Sequence, residues 1–173
     1  KQKVLDMGLG MERIAWFSQG TVTMYDAVFP EVISFLKKKT KVKFDFELFK
    51  KFAPYSSLLN LDEVEDVDSV WKNISSKLRV ECSVLKSKIR PMTGIYSVAE
   101  HSRSLLFAIA DGSLPSNVGG SYNLRVIFRR ALSFIDEFGW KVDFNDLIRI
   151  HAKSLRRIFP ELESKVDDVC KIL

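Results

Sequence analysis

The stretch Val98–Leu132, VAEHSRSLLFAIADGSLPSNVGGSYNLRVIFRRAL, decides the fold. Its first part places Val98, Ala99, Leu105, Leu106 and Ile109 on one stripe, the spacing of an amphipathic helix, which extends back to Ile95 and ends at Ala110. Asp111-Gly112 stops that helix, and Pro115-Ser116-Asn117 followed by Gly119-Gly120 makes a pointed loop. A second amphipathic run then extends from Tyr122 to Phe138, carries Arg125, Arg129 and Arg130, and stops at Gly139. Two helices joined by such a loop predict a helical protein with an arginine-bearing face beside the loop.

The flanking sequence repeats this grammar. Residues 143–159 read as a helix with Asp143 as its N-cap, and a last helix runs from Pro160 to about Ile172. Toward the N-terminus, LGMERIAWFSQG, Leu9–Gly20, suits a helix that stops at Gly20, with Glu12 in its first turn. Pro30 fits the first turn of a helix ending in Lys37–Lys39, so Asp26–Phe29 is read as a separate turn. Residues 45–59 predict a short helix broken near Pro54. Residues 69–79 and 81–89 read as two short helices, with Pro91 interrupting before Ile95. Only residues 2–8 suggest an extended segment. The expected fold is therefore all-α, a bundle of about seven to nine helices preceded by one short strand.

Composition limits the function classes. Hydrophobic residues make up 46% of the 173, including thirteen Phe and three Trp, enough to fill a core. The net charge of +5 permits a polyanionic partner without demanding one. No run of roughly 18 apolar residues is present, so no membrane span is expected. Cys82 and Cys170 are far apart and in no metal-ligand spacing, the usage of reduced cysteines in a cytosolic protein. The acidic run 62–68 is read as a solvated loop or a helix N-terminal turn, because no glycine shapes a calcium loop.

Several residues admit a structural and a functional reading. In DMGLGMERIAW, Asp6–Trp16, Gly8 and Gly10 let the backbone approach a flat ligand, and Arg13 can meet phosphate oxygens. The same residues also suit an ordinary strand–turn–helix corner. Arg149, Lys153, Arg156 and Arg157 fall at helical spacing, as a solvated face or as phosphate contacts. His101 is read as a hydrogen-bonded structural histidine and His151 as a surface one. Trp16, Trp71 and Trp140 are read as core residues, and Tyr122 as packing at the helix start or lying near RNA.

GLGMER, Gly8–Arg13, resembles motif 3 of class II aminoacyl-tRNA synthetases, a strand–helix element of the form G-x-G-x-E-R. With its flank LDMGLGMERIAWFSQG and the following YDAVF, it is similar to the alanyl-tRNA synthetases. The block Val98–Leu132 resembles the helix–loop–helix of that family, closest to its archaeal branch. The resemblance covers essentially the whole chain. It departs from the family at Glu100, where Asp is usual, and at Ser121, where glycine is common.

The resemblance implies roles residue by residue. Asp6 matches the aspartate that holds the ammonium of alanine, and Gly8 the glycine against its methyl. Gly10 and Arg13 match ATP-binding positions, Arg13 serving catalysis by offsetting phosphate charge. Asn117 matches the asparagine that reads the G·U wobble pair of the tRNA(Ala) acceptor stem. Ser116, Tyr122, Arg125, Arg129 and Arg130 are expected to lie near the RNA. Residues 1–22 would end the class II catalytic domain, the short strand being left over from its sheet. Residues 23–173 would form the helical acceptor-stem recognition domain, with a helical segment at about 40–92. The full enzyme would be a cytoplasmic, ATP- and Mg2+-dependent alanine–tRNA ligase with no DNA or membrane partner, homodimeric through a region outside this chain. The zinc site of the family's editing domain would also lie outside it. Motifs 1 and 2 would precede Lys1, so this chain alone is expected to bind no cofactor and to activate no alanine. A second reading is a non-catalytic helical interaction module of the same ancestry, with the charge-balanced segment 56–95 as its partner surface.

Overall fold

A computed structural model describes residues 8–59 and 66–173. Among the described residues there are nine α-helices, one 3-10 segment and no strand. The expected extended segment at 2–8, with Asp6, lies outside the described residues except for Gly8. In chain order the helices are α1 (Met11–Gln19), α2 (Met24–Val28), α3 (Pro30–Thr40), α4 (Phe46–Phe52), α5 (Val67–Leu78), α6 (Cys82–Ala110), α7 (Gly119–Glu137), α8 (Phe144–Leu155) and α9 (Glu161–Ile172). The 3-10 segment Ala53–Leu59 follows α4, at the expected break near Pro54.

Capping chemistry sets most boundaries. Thr23, Asp45, Asp66 and Asp143 each accept a backbone N–H of the helix they start, satisfying a donor that has no partner within the helix. Asp66 thereby bears out the helix-start reading for its part of the acidic run; residues 62–65 lie outside the described residues. Pro30 occupies the first turn of α3, where its missing N–H costs nothing, and Lys37, Lys38 and Lys39 occupy its last turn.

One expectation is overturned at Pro91. Cys82–Ala110 is a single helix of 29 residues with Pro91 inside it, not a short helix, a break and a second helix. The proline removes one backbone hydrogen bond and crowds the Ser87 carbonyl, at a cost of about 3 kcal/mol. Leu85, Ile89, Met92 and Ile95 lie on both sides of it and are all fully buried. Each such side chain contributes about 1.5–3 kcal/mol on burial, so packing outweighs the break.

Helix α6 spans two cores. Its N-terminal half, through Leu85 and Ile89, packs with Phe52, Trp71 and Ile74 of α4 and α5. Its C-terminal half packs with α3, α7, α8 and α9 through residues such as Leu36, Ala131, Leu147 and Leu162. Gly94 lets α7 approach closely: a Cβ there would lie 3.0 Å from Phe134 and 3.1 Å from Trp140. Ion pairs brace the outside, Lys86 to Asp68 at 2.6 Å and Arg90 to Glu137 at 2.7 Å. Lys165 of α9 donates to the Ala110 carbonyl at 2.7 Å and so caps the end of α6 with a cation.

Three other expectations change. Helix α7 begins at Gly119, three residues before Tyr122, so the glycine pair forms its first turn. Helix α8 ends at Leu155, which leaves Arg156 and Arg157 beyond it, and Arg149 pairs with Asp167 at 2.8 Å. His151 is not a surface residue but only 2% exposed. Its Nε2–H donates to the Ala99 carbonyl at 2.9 Å and lies 3.1 Å from Ser102 Oγ, tying α8 to α6. The helical stripe of α8 shared by Leu147, Ile148 and Ala152 carries His151 inward with it.

Burial pushes the His151 imidazole down to about 4, against the Ala99 hydrogen bond, and the Arg103 charge adds to the lowering. Its ordinary value near 6.5 applies in the unfolded chain, which therefore binds more protons between these two values. The stabilisation is complete above about pH 6.5 and is lost as pH falls toward 4. It amounts to about 3 kcal/mol, taking about 1.4 kcal/mol per unit. Urea unfolding at pH 7 and pH 4.5 should show this loss in the parent chain. In His151→Gln it should be smaller by about 2–3 kcal/mol; the same pH dependence in both chains would contradict the buried neutral imidazole.

Candidate nucleotide and RNA interface

The two segments singled out in the sequence occupy two places along α6. At one, α1 lies against α2 and near the middle of α6's C-terminal half. Gly10 precedes α1 in extended backbone, with φ −64° and ψ 122°. A Cβ at Gly8 would meet nothing within 4 Å, and one at Gly10 would make only ordinary contacts of 3.6 Å or more. Among the described residues, neither glycine is required by packing.

Arg13 is exposed in the first turn of α1 and forms no ion pair among the described residues. It lines two grooves. One, of about 890 Å³, is walled by apolar groups including Leu9, Ile14, Trp16, Phe17 and Phe49. The other, of about 670 Å³, mixes charged and polar groups (Glu12, Glu100, Arg103, Ser104 and Asp111) with Phe29 and Phe107. No residue of α1 is buried. Trp16, expected in the core, is 41% exposed; its Nε1–H donates to the Thr21 carbonyl at 2.7 Å. Trp71 and Trp140 pack inward as expected.

What holds this corner is a hydrogen-bonded knot on α2. Asp26 Oδ2 accepts from Thr23 Oγ1 at 2.7 Å and from the Tyr96 hydroxyl of α6 at 2.9 Å. Its other oxygen lies 3.5 Å from Lys37 Nζ of α3. Burial, with the Asp26 charge nearby, pushes the Tyr96 hydroxyl far above its ordinary value, so it stays a donor. The sequence carries no local sign of this knot, because Tyr96 is 70 residues from Asp26.

His101 supports the structural reading. Its Nδ1 donates to Glu100 Oε2 at 2.7 Å, since a carboxylate only accepts, and Glu100 Oε1 accepts from Ser104 at 3.1 Å. The His101 hydrogen bond holds the Glu100 carboxyl below its ordinary value, against partial burial. His101 Nε2 is buried and without a hydrogen-bond partner among the described residues. No group of three His, Cys, Asp or Glu side chains with metal-binding geometry occurs among the described residues.

At the far end of α6 stands the loop 111–118. Gly112 has φ 94° and its N–H bonds the Ile109 carbonyl, so the chain leaves the helix through a conformation that favours glycine. Gly119, with φ 60°, opens α7 in the same left-handed region. Ser116 closes the loop on itself. Its N–H bonds the Ser121 carbonyl at 3.2 Å, and its hydroxyl bonds the Val118 backbone. Ser116 thus shapes the loop, whereas the exposed Asn117 amide makes no hydrogen bond among the described residues.

Tyr122, Arg125 and Arg129 follow at helical spacing on one side of α7, and Arg130 lies a quarter-turn away. All four are exposed, and none of the arginines forms an ion pair among the described residues. The opposite side of α7 supplies Ala131 and Ile135 to the core. The result is an unpaired amide at the loop and unpaired guanidinium groups along the first half of α7, donors and cations suited to an anionic, hydrogen-bonding partner.

No helix among the described residues is long and apolar enough to cross a membrane. The family model described as tRNA synthetases class II (A) matches residues 1–173. A protein of Methanocella arvoryzae named alanine–tRNA ligase is 44% identical over 163 residues, covering 94% of this chain. Proteins of the same name from Nitrosopumilus maritimus and Pyrococcus abyssi are 38% and 33% identical, each over 172 residues and 99% of this chain. This chain spans 19% of the length of each of these three relatives. The chain belongs to the class II tRNA synthetases (A), the alanyl-tRNA synthetases.

Proposed function

We propose that this chain is the part of an alanine–tRNA ligase that supplies motif 3 and reads the tRNA(Ala) acceptor stem. Residues 1–22 then close the catalytic domain and residues 23–173 form the recognition domain. The parent enzyme is a cytoplasmic ligase. The exposed Asn117 amide at the tip of a loop braced by Ser116 carries this reading. An amide donates and accepts at once, which suits the base-edge groups a G·U wobble pair presents in the shallow groove of an RNA helix. Arg125, Arg129 and Arg130 supply charge to neighbouring phosphates, which orients the stem without reading its sequence. Tyr122 offers a ring beside them.

Beside α6, in the groove that also reaches Asp111, Arg13 meets the phosphates of ATP, and Gly10 leaves the backbone approachable. The exposed guanidinium, which forms no ion pair among the described residues, fits an anion. Bound ATP with Mg2+ supplies the adenylyl group for alanine. Asp6 pairs with the alanine ammonium, and Gly8 leaves room for its methyl. Arg13 offsets negative charge as it grows at the phosphates.

Two outcomes follow for the enzyme and the chain. In the full-length enzyme, Asn117→Ala should lower the kcat/KM preference for G·U over Watson–Crick acceptor stems by about tenfold, the cost of one lost hydrogen-bonding group; an unchanged ratio would remove the reading role. The 173-residue chain alone should show no alanine-dependent pyrophosphate exchange. Measurable exchange by it would mean that the adenylation site is complete within these residues.

A further inference from the structure

Arg103 stands where α6 faces the first turn of α1. Its guanidinium carbon lies 5.5 Å from the ring centre of Phe29 and 5.8 Å from that of Phe107. These rings come from the α2–α3 corner and from α6 itself. Phe29 is buried and braced from behind by His151, whose ring meets it edge-on at 5.6 Å. Phe107 is braced in the same way by Phe159 at 5.1 Å. A planar cation against two fixed aromatic rings has its direction set by the core, before it meets any carboxylate.

That direction leads to α1. Arg103 Nη1 lies 3.8 Å from Glu12 Oε1, the only ion pair that α1 makes among the described residues. Because no residue of α1 is buried, packing does little to fix its first turn relative to α6. It is the ion pair that ties this turn to α6, while α2 and the Trp16 bond to Thr21 hold the rest of α1. Glu12 immediately precedes Arg13, and both line the smaller groove beside Arg103. Glu100 lies one turn back on the same wall. Its carboxyl is held by His101 and Ser104, which keeps it from capturing the guanidinium outright.

We propose that Arg103 is a positioning residue for Arg13. Clamped between Phe29 and Phe107, it holds Glu12 and thereby fixes the first turn of α1 in the orientation from which Arg13 reaches ATP. The inference rests on the ATP-binding reading of Arg13. It assigns to the recognition part of the chain a role in nucleotide binding.

The test is alanine-dependent pyrophosphate exchange by the full-length enzyme at varied ATP, with Glu12→Gln, Arg103→Gln, the double variant, Arg103→Lys and Arg13→Ala. Glu12→Gln and Arg103→Gln should each raise the ATP KM by about two- to fivefold, the scale of a partly exposed ion pair, with kcat within about twofold of the parent. The double variant should be no worse than the worse single one, since both remove the same contact. Arg103→Lys should recover part of the loss. A merely structural role would lower the melting temperature and the active fraction while leaving the ATP KM unmoved, and that result overturns the proposal. So does a double variant whose KM effects multiply. If Arg103→Gln fails to fold, Glu12→Gln, at a half-exposed position, decides alone. An Arg13→Ala enzyme with unaltered ATP KM sinks the ATP reading and this inference together. A raised KM in Arg13→Ala with none in Glu12→Gln or Arg103→Gln sinks the inference only.

Discussion

The burial of Leu85, Ile89, Met92 and Ile95 around Pro91 is the interaction on which the rest of the structure depends. It keeps α6 continuous for 29 residues, about 43 Å at 1.5 Å per residue. One rigid element then carries a contact in each core, the Tyr96 bond to Asp26, the Arg103 clamp and the point from which the loop departs. A break at Pro91 would weaken the link between the α4–α5 core and the larger one, leaving contacts such as Phe49, which packs against both, to hold them together. The Ala110 carbonyl, capped by Lys165, fixes where the helix gives way to the loop.

The two candidate sites are built differently, and the difference fits the roles proposed for them. The loop between α6 and α7 is held by its own hydrogen bonds and by two glycines in left-handed backbone, so it can present Asn117 without help from a partner. Helix α1 has no such self-sufficiency. It leans on α2, on the Trp16 bond to Thr21 and on Glu12, and its apolar side chains remain exposed. Rigidity at the loop suits recognition of a fixed RNA shape. The exposed groove beside α1 suits residues that act with groups from elsewhere.

Much of this was legible from the sequence because its signals were local. Caps at Asp143 and Asp66, the proline at the start of α3 and the glycine stops act within a turn of the residues that reveal them. The loop and the arginine side of α7 were legible for the same reason. Pro91 misled because a local rule was outweighed by burial contributed from both sides. His151 misled because its neighbours in sequence are basic while its stripe on α8 is apolar. The Asp26 knot and the Arg103 clamp had no local signal at all, since their partners come from distant segments brought together by α6. The apolar spacing around Trp16 predicts an inward side chain, yet α1 buries nothing among the described residues.

In the proposed function the loop and α7 together form an RNA-reading surface whose cations act on phosphates. Its most direct test is the salt dependence of tRNA(Ala) binding by the full-length enzyme and by its Arg125→Gln/Arg129→Gln/Arg130→Gln variant. If each arginine neutralises one phosphate, the slope of log affinity against log salt should be shallower in the variant by about two to three, at a little under one per phosphate. Equal slopes in the two enzymes would contradict the account.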